Sequence, residues 1–204
     1  MNDSDEEEAA KVTWGRAAAL CEDFQIYNFL ERPMLPKLEL ERGWRKPEQG
    51  SVKINFDANT MGRKMCFGLV ARDHDGFVLG GRADVLKKNV QAEWAELHAL
   101  EESISFAVTK NWDKLIFESD CVSLINQLNK AKVDRSTMGY RIREILIRLE
   151  QCCNFSFSFV WAPRCCNKVA GLLCSWANEQ SCITNFDMDY PSVIHDVILK
   201  YAIL

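Results

Sequence analysis

The hydrophobic period of the chain changes four times between Ser51 and Ala162, and this limits the fold more than any other feature. From Val52 the period is two: Val52, Ile54 and Phe56 alternate with Lys53, Asn55 and Asp57, the pattern of a β-strand. Two apolar runs follow, MCFGLVARD (65–73) and FVLGGRADV (77–85), divided by His74-Asp75-Gly76, whose glycine suits a tight antiparallel hairpin. Over 91–110 the period becomes helical, with Trp94, Leu97, Leu100, Ile104 and Ala107 on one stripe. KLIFESD (114–120) returns to a short buried strand, and strand, long helix, strand implies a parallel crossover. Helices are predicted over 121–130 and 138–151, the second turning Ile142, Ile145, Leu146 and Leu149 inward. FSFSFVWA (155–162) alternates as a last strand, and 167–178 is a final helix. The order predicts an α/β domain: a five-stranded mixed sheet, three antiparallel strands first and parallel ones after, flanked by helices.

Three segments are expected. Residues 1–43 comprise an acidic tail with five acids in its first ten positions, an amphipathic stretch over 11–32, and a connector broken by Pro33 and Pro36. The folded domain spans 44–182, and 183–204 forms a C-terminal extension. The net charge of −4 lies in the first 50 residues, with 11 acids against 7 bases; the remainder carries 18 of each. A polyanionic partner is therefore not excluded, because acids neutralised by a metal do not repel it. No apolar run approaches the roughly 20 residues of a membrane span. The acidic N-terminus is unlike a secretory or mitochondrial leader, so cytoplasm or nucleus is expected. The nine cysteines are odd in number and lack zinc-type spacing, so they read as free, mostly buried thiols. A monomer is the expectation.

Chemistry is expected where acids close buried strands. Asp57 ends the apolar part of INFDANT and Asp120 ends FESD; a carboxylate beside an apolar core is costly unless something cationic satisfies it. If the two strands are neighbours, both acids meet at one sheet edge, and Glu96 on the intervening helix can point there. Clustered hard oxygen ligands bind Mg²⁺ or Mn²⁺, and two such ions about 4 Å apart serve phosphodiester hydrolysis. An aspartate at a strand end also forms turns and caps helices, and Asp120 is placed to cap the helix from Cys121.

Five ordered segments carry more weight: VKINFDANT, CFGLVARDHDGFVLGG, AELHALEESISFA, LIFESDCVSLINQLN and FVWAPRCCNKVAGLLCSWA. With the Trp-Arg-Lys-Pro lead-in at 44–47, they resemble the ribonuclease H-like domain of plant non-LTR retrotransposon origin, over about 44–177. The resemblance implies a ribonuclease H-like fold and a metal-dependent endonuclease that cuts the RNA strand of RNA–DNA hybrids. Its first-strand acid falls on Asp57, its helix acid on Glu96 and its crossover-strand acid on Asp120. Glu93 competes with Glu96 on the same helix, nearer the middle of the apolar stripe, but the alanines at 95, 99 and 107 match the family's spacing around Glu96. The family's fourth acid lies in a segment Asn-x-Val-Ala-Asp, and here that segment reads Asn167-Lys168-Val169-Ala170-Gly171. The missing carboxylate implies a weaker second ion. None of His74, His98 and His195 falls where some relatives place a histidine beside that acid.

For nucleic acid, the resemblance implies contacts from Asn59, Asn126, Arg164, Asn167 and Lys168. Arg141 and Arg148, seven apart on one helix, could track a backbone but equally suit a solvated face. Trp94, Trp161 and Trp176 are expected in the core, and His98 on the surface. A second reading, favoured by Gly171, is a domesticated, catalytically impaired remnant that binds nucleic acid or protein.

Overall fold

β1 (Val52–Met61) carries the expected alternation through ten residues, and it is the strand on which the domain is built. The structure is a computed structural model that describes residues 43–130, 135–152, 156–181 and 183–202. The acidic tail, the 11–32 stretch, Pro33 and Pro36 lie outside the described residues. β1 pairs antiparallel with β2 (Lys64–Arg72), which pairs antiparallel with β3 (Val78–Leu86). On its other side β1 runs parallel to β4 (Lys114–Ser119), and β4 runs parallel to β5 (Ser156–Trp161). The crossover between β1 and β4 passes through β2, β3 and α1 (Ala92–Lys110). α2 (Val122–Lys130) and α3 (Thr137–Cys152) connect β4 to β5, and α4 (Lys168–Gln180) follows.

The sheet has six strands rather than the expected five, in the order β5-β4-β1-β2-β3-β6. The additional strand, β6 (Thr184–Phe186), pairs antiparallel with β3 through Gly81 and Phe186. Three residues are too few to show a period of two, which is why the sequence pattern does not reveal it. A 3₁₀ turn (Ser192–Ile194) and α5 (His195–Ala202) follow, so residues after 182 add an edge strand and a helix to the domain. Among the described residues no helix is long and apolar enough to cross a membrane.

Successive side chains of a strand point to opposite faces, and here both faces are covered. Ile54, Phe56, Phe67, Leu69 and Phe117 pack beneath α1, α2 and α3, against Leu97, Leu100, Leu124, Ile142 and Leu149. On the other face Val70, Val78 and Ala83 pack with Val169, Leu173 and Ala177 of α4, joined by Trp44, Ile198 and Tyr201. The polar half of the β1 alternation, Lys53 and Asn55, is therefore buried rather than facing water, Lys53 beside Trp44 and Arg45 and Asn55 beside Asn167. Trp94 and Trp176 are partly buried against these clusters, whereas Trp161, expected in the core, is 44% exposed. It lies on an edge strand, where one face meets solvent. Cys66, Cys121, Cys165, Cys166 and Cys174 carry free thiols, and the sulfurs of Cys66 and Cys174 approach to 2.9 Å between β2 and α4.

Gly68 fixes how closely α4 lies on the sheet. A Cβ at that position would fall 2.5 Å from the Ala170 carbonyl oxygen and 2.6 Å from the Cys174 amide nitrogen, both backbone atoms that cannot turn aside. Gly68 is also the cross-strand partner of Asp57. Gly68→Ala is therefore expected to push α4 away from the site and destabilise the domain by about 1–3 kcal/mol, the usual cost of overpacking. Chemical denaturation checks this through a lowered midpoint.

Candidate active site

The register of β1 against β4 places two acids side by side. Asn55 pairs with Glu118, so two residues further Asp57, in the middle of β1, stands beside Asp120, just past the end of the adjacent parallel strand β4. Glu96, in the second turn of α1, reaches the same place, and all three line one cavity of about 470 Å³. Glu93, its competitor on the helix, is exposed and faces a separate depression beside Gln127 and Thr137. Asn59, Arg164, Asn167, Lys168 and Gly171 complete the wall of the cavity, with Cys174 and Ser175 from the next turn of α4. Asn126 is exposed on α2 and does not line it.

The electrostatics of this cavity are those of acids held against one another. Burial, then the negative charges of Asp57 and Asp120, pushes the Glu96 carboxyl up to about 9. Burial and Asp120 push Asp57 up to about 6, opposed by the positive charge of Arg164. Asp57 and Glu96 are close enough that each shifts the other's protonation, so without a cation the pair keeps its protons to higher pH than isolated carboxyls do. Glu96 Oε2 is buried and has no hydrogen-bond partner among the described residues. Such an oxygen is costly to bury unless a ligand takes it up. Three hard carboxylate donors in one cavity, one of them with an orphan oxygen, suit a divalent cation in kind, though their oxygens do not all lie within 4.8 Å of one another.

Position 171 faces this group directly. A Cβ on Gly171 would lie 3.2 Å from Asp57 Oδ2, so the residue type there decides whether a further ligand enters the cavity.

The remaining polar residues have different surroundings. Arg164 and Lys168 are exposed at the mouth, and the exposed Asn59 uses its Oδ1 to accept the Thr60 N–H. Asn167 is buried: its Nδ2 donates to Asp120 Oδ1 and to the Phe56 carbonyl, each at 2.9 Å, and its Oδ1 accepts from Asn55 Nδ2. Behind it lie Glu118, Lys53 and Arg72, none of which the sequence reading singled out. Glu118 takes Asn55 Nδ2 at 2.8 Å and Lys53 Nζ at 2.9 Å, while Arg72 Nη2 donates to Asn55 Oδ1 at 2.7 Å. Polar residues beside apolar ones on three neighbouring strands, β4, β1 and β2, are the available signal. Ser119 Oγ accepts the Cys121 N–H, so Asp120 does not have to fill that role. Arg141 is paired with Glu101 at 2.6 Å and Glu144 at 2.9 Å, and His98 is half-buried with its ring edge against Phe67. Among the described residues one triplet of ligating groups gathers within 4.8 Å, Asp73-His74-Asp75, and it forms the β2–β3 turn, where Asp73 Oδ1 accepts the N–H groups of Asp75 and Phe77.

A family model described as reverse transcriptase-like matches residues 55–177. Among solved structures, the RNase H1 of the archaeon Halobacterium salinarum is 22% identical, covering 64% of this chain and 98% of its own, with a TM-score of 0.57. An RNase H1 isolated from compost, solved in complex with an RNA/DNA hybrid, is 17% identical over 64% of this chain and 98% of its own, TM-score 0.57. The N-terminal RNase H domain of a Mycobacterium tuberculosis protein is 18% identical over 64% and 95%, TM-score 0.56. These likenesses show a ribonuclease H-like fold. No curated protein matches the chain in sequence.

Proposed function

The chain belongs to the reverse transcriptase-like family, and on that premise we propose that it is a metal-dependent endonuclease of the ribonuclease H type. The observation that carries this reading is the meeting of Asp57, Glu96 and Asp120 in one cavity, mutually repelling and with one buried oxygen unpartnered. Hard oxygen donors select Mg²⁺ or Mn²⁺, which these three residues would hold. When bound, the ion supplies positive charge against the scissile phosphate and a more acidic water.

The chain's own groups do the rest. Asp57 and Glu96, both held toward their protonated forms, must release a proton to take up a cation. That release couples ligand binding to pH. Arg164 and Lys168 stand exposed at the mouth, where cationic groups meet backbone phosphates. The substrate is the RNA strand of an RNA–DNA hybrid, distinguished by 2′-hydroxyls on one strand rather than by base reading. A relative of the same fold solved with an RNA/DNA hybrid supports this class. The order of the five motifs supports descent from a plant non-LTR retrotransposon, with residues 44–182 as the catalytic domain.

Gly171 favours a second reading, a domain that binds nucleic acid with little turnover, because it leaves one ligand position without a carboxylate. Incubating purified protein with a labelled RNA–DNA hybrid separates the two. Time-dependent RNA-strand cleavage that needs Mg²⁺ or Mn²⁺ and stops with EDTA is the expected result. A folded protein that binds the hybrid without cutting it turns the conclusion to the second reading.

A further inference from the structure

A directional chain of hydrogen bonds runs from the interior to Asp120, and its polarity is set by chemistry. Arg72 is fully buried, lies 3.5 Å from the centre of the Trp44 ring, and can only donate. Asn55 must therefore turn its oxygen to Arg72, which leaves its Nδ2 for Glu118 Oε1 and for Asn167 Oδ1 at 3.1 Å. That contact fixes the Asn167 carboxamide the same way round: its Nδ2 faces the Phe56 carbonyl and Asp120 Oδ1. Neither amide can flip without setting donor against donor. Lys53, bonded to Glu118 Oε2 and to the Arg45 carbonyl, closes the far end.

We propose that Asn167 is a positioning residue: oriented by Arg72 through Asn55, it holds the Asp120 carboxylate in the conformation that receives the cation. The inference rests on the nuclease reading and reassigns Asn167, whose polar atoms are taken up inside the fold, away from direct contact with nucleic acid. Asn167 also ties the start of α4 to β1 one residue before Asp57, so two of the three acids share one anchor. With glycine at 171, α4 contributes this amide to the site where a carboxylate would otherwise stand.

Asn167→Asp tests it with almost no change of shape, replacing the donor by an oxygen that repels Asp120. Three quantities are read on the full chain: Mn²⁺ affinity by calorimetry, the Mg²⁺ concentration for half-maximal cleavage, and kcat against KM for the hybrid. Mn²⁺ affinity is expected to fall by about tenfold or more, as for other lost partners of metal ligands, with kcat lowered and KM for the hybrid within about twofold. A raised KM with Mn²⁺ affinity unchanged would overturn the proposal in favour of a nucleic-acid contact, and no change in any of the three would leave Asn167 a packing residue. If Asn167→Asp does not fold, Asn167→Ala, which removes the donor without burying a charge, carries the same expectations. If the native chain cuts no hybrid, the nuclease reading fails by itself, and Mn²⁺ affinity alone decides the role of Asn167.

Discussion

Asp57→Asn is expected to reduce metal-dependent cleavage of the hybrid by about a thousandfold or more. The acid lines the cavity together with Glu96 and Asp120, and loss of several kcal/mol of charge stabilisation costs tenfold for each ~1.4 kcal/mol. The same substitution should make the metal-free protein more stable at pH 8, by several degrees in Tm. The sign follows from the direction of the shifts. Asp57 is raised from 3.8 to about 6 and Glu96 from 4.5 to about 9, so folding favours their protonated forms. The stability linked to them is complete below about pH 4 and is lost as pH rises through 6 and then 9. Metal-free native protein should thus lose stability across that window, and Asp57→Asn should flatten the loss by removing one of the repelling charges. Mg²⁺ should raise the Tm of the native protein at pH 8 and leave the variant nearly unmoved. Thermal scans at pH 5 and pH 8, with EDTA or Mg²⁺, check every part of this. A variant less stable than the native protein at pH 8 in EDTA would show that Asp57 is a structural anchor instead of a strained ligand.

Burial explains which parts of this molecule the sequence reveals. Val52, Ile54 and Phe56 announce a strand because burial of one face is a contrast between neighbours, and contrast is visible in a string of letters. What covers the other face is not visible. Lys53 and Asn55 occupy positions that read as solvated, yet they are buried, Lys53 against Trp44 and the Arg45 carbonyl and Asn55 against Asn167. A period of two reports that the faces differ, not that either is wet. Glu118 and Arg72 belong to the same hidden layer, and their partners lie 17 to 65 residues away in sequence.

The helix acid shows a different limit. Glu93 and Glu96 are three apart and share a helix face, so periodicity cannot separate them. The packing of the helix on the sheet does, and it places Glu96 in the cavity and leaves Glu93 exposed. The resemblance places Asn167 near the site, and the structure turns its side chain inward to Phe56 and Asp120, at the start of a helix that lies close on Gly68. That close approach is set by the absence of a side chain, which carries no hydrophobic signal. Trp161 errs the other way: an apolar residue in an alternating run reads as core, but on an edge strand it is half in water, with its Nε1 donating to the Asp120 carbonyl at 3.2 Å.

Gly171→Asp should restore what this chain lacks. A Cβ at 171 lies 3.2 Å from Asp57 Oδ2, so a carboxylate there enters the cavity instead of pointing to solvent. It adds one hard oxygen ligand and one negative charge, and the Mg²⁺ concentration for half-maximal cleavage should fall by about tenfold or more. Without metal the same charge is a liability. It joins acids already raised by mutual repulsion, so the Tm in EDTA at pH 8 should drop below that of the native protein, while saturating Mg²⁺ should close the gap. Gly171→Asn is the control of equal shape. It brings the same steric contact and a similar gain in helix propensity over glycine, but no charge, so the metal requirement should stay near that of the native protein. Titrating Mg²⁺ in the cleavage assay for the three proteins separates ligand from shape. An Asp variant indistinguishable from the Asn variant would mean that position 171 does not reach the cation, and Asp57, Glu96 and Asp120 would then be the whole of the protein's contribution to holding it.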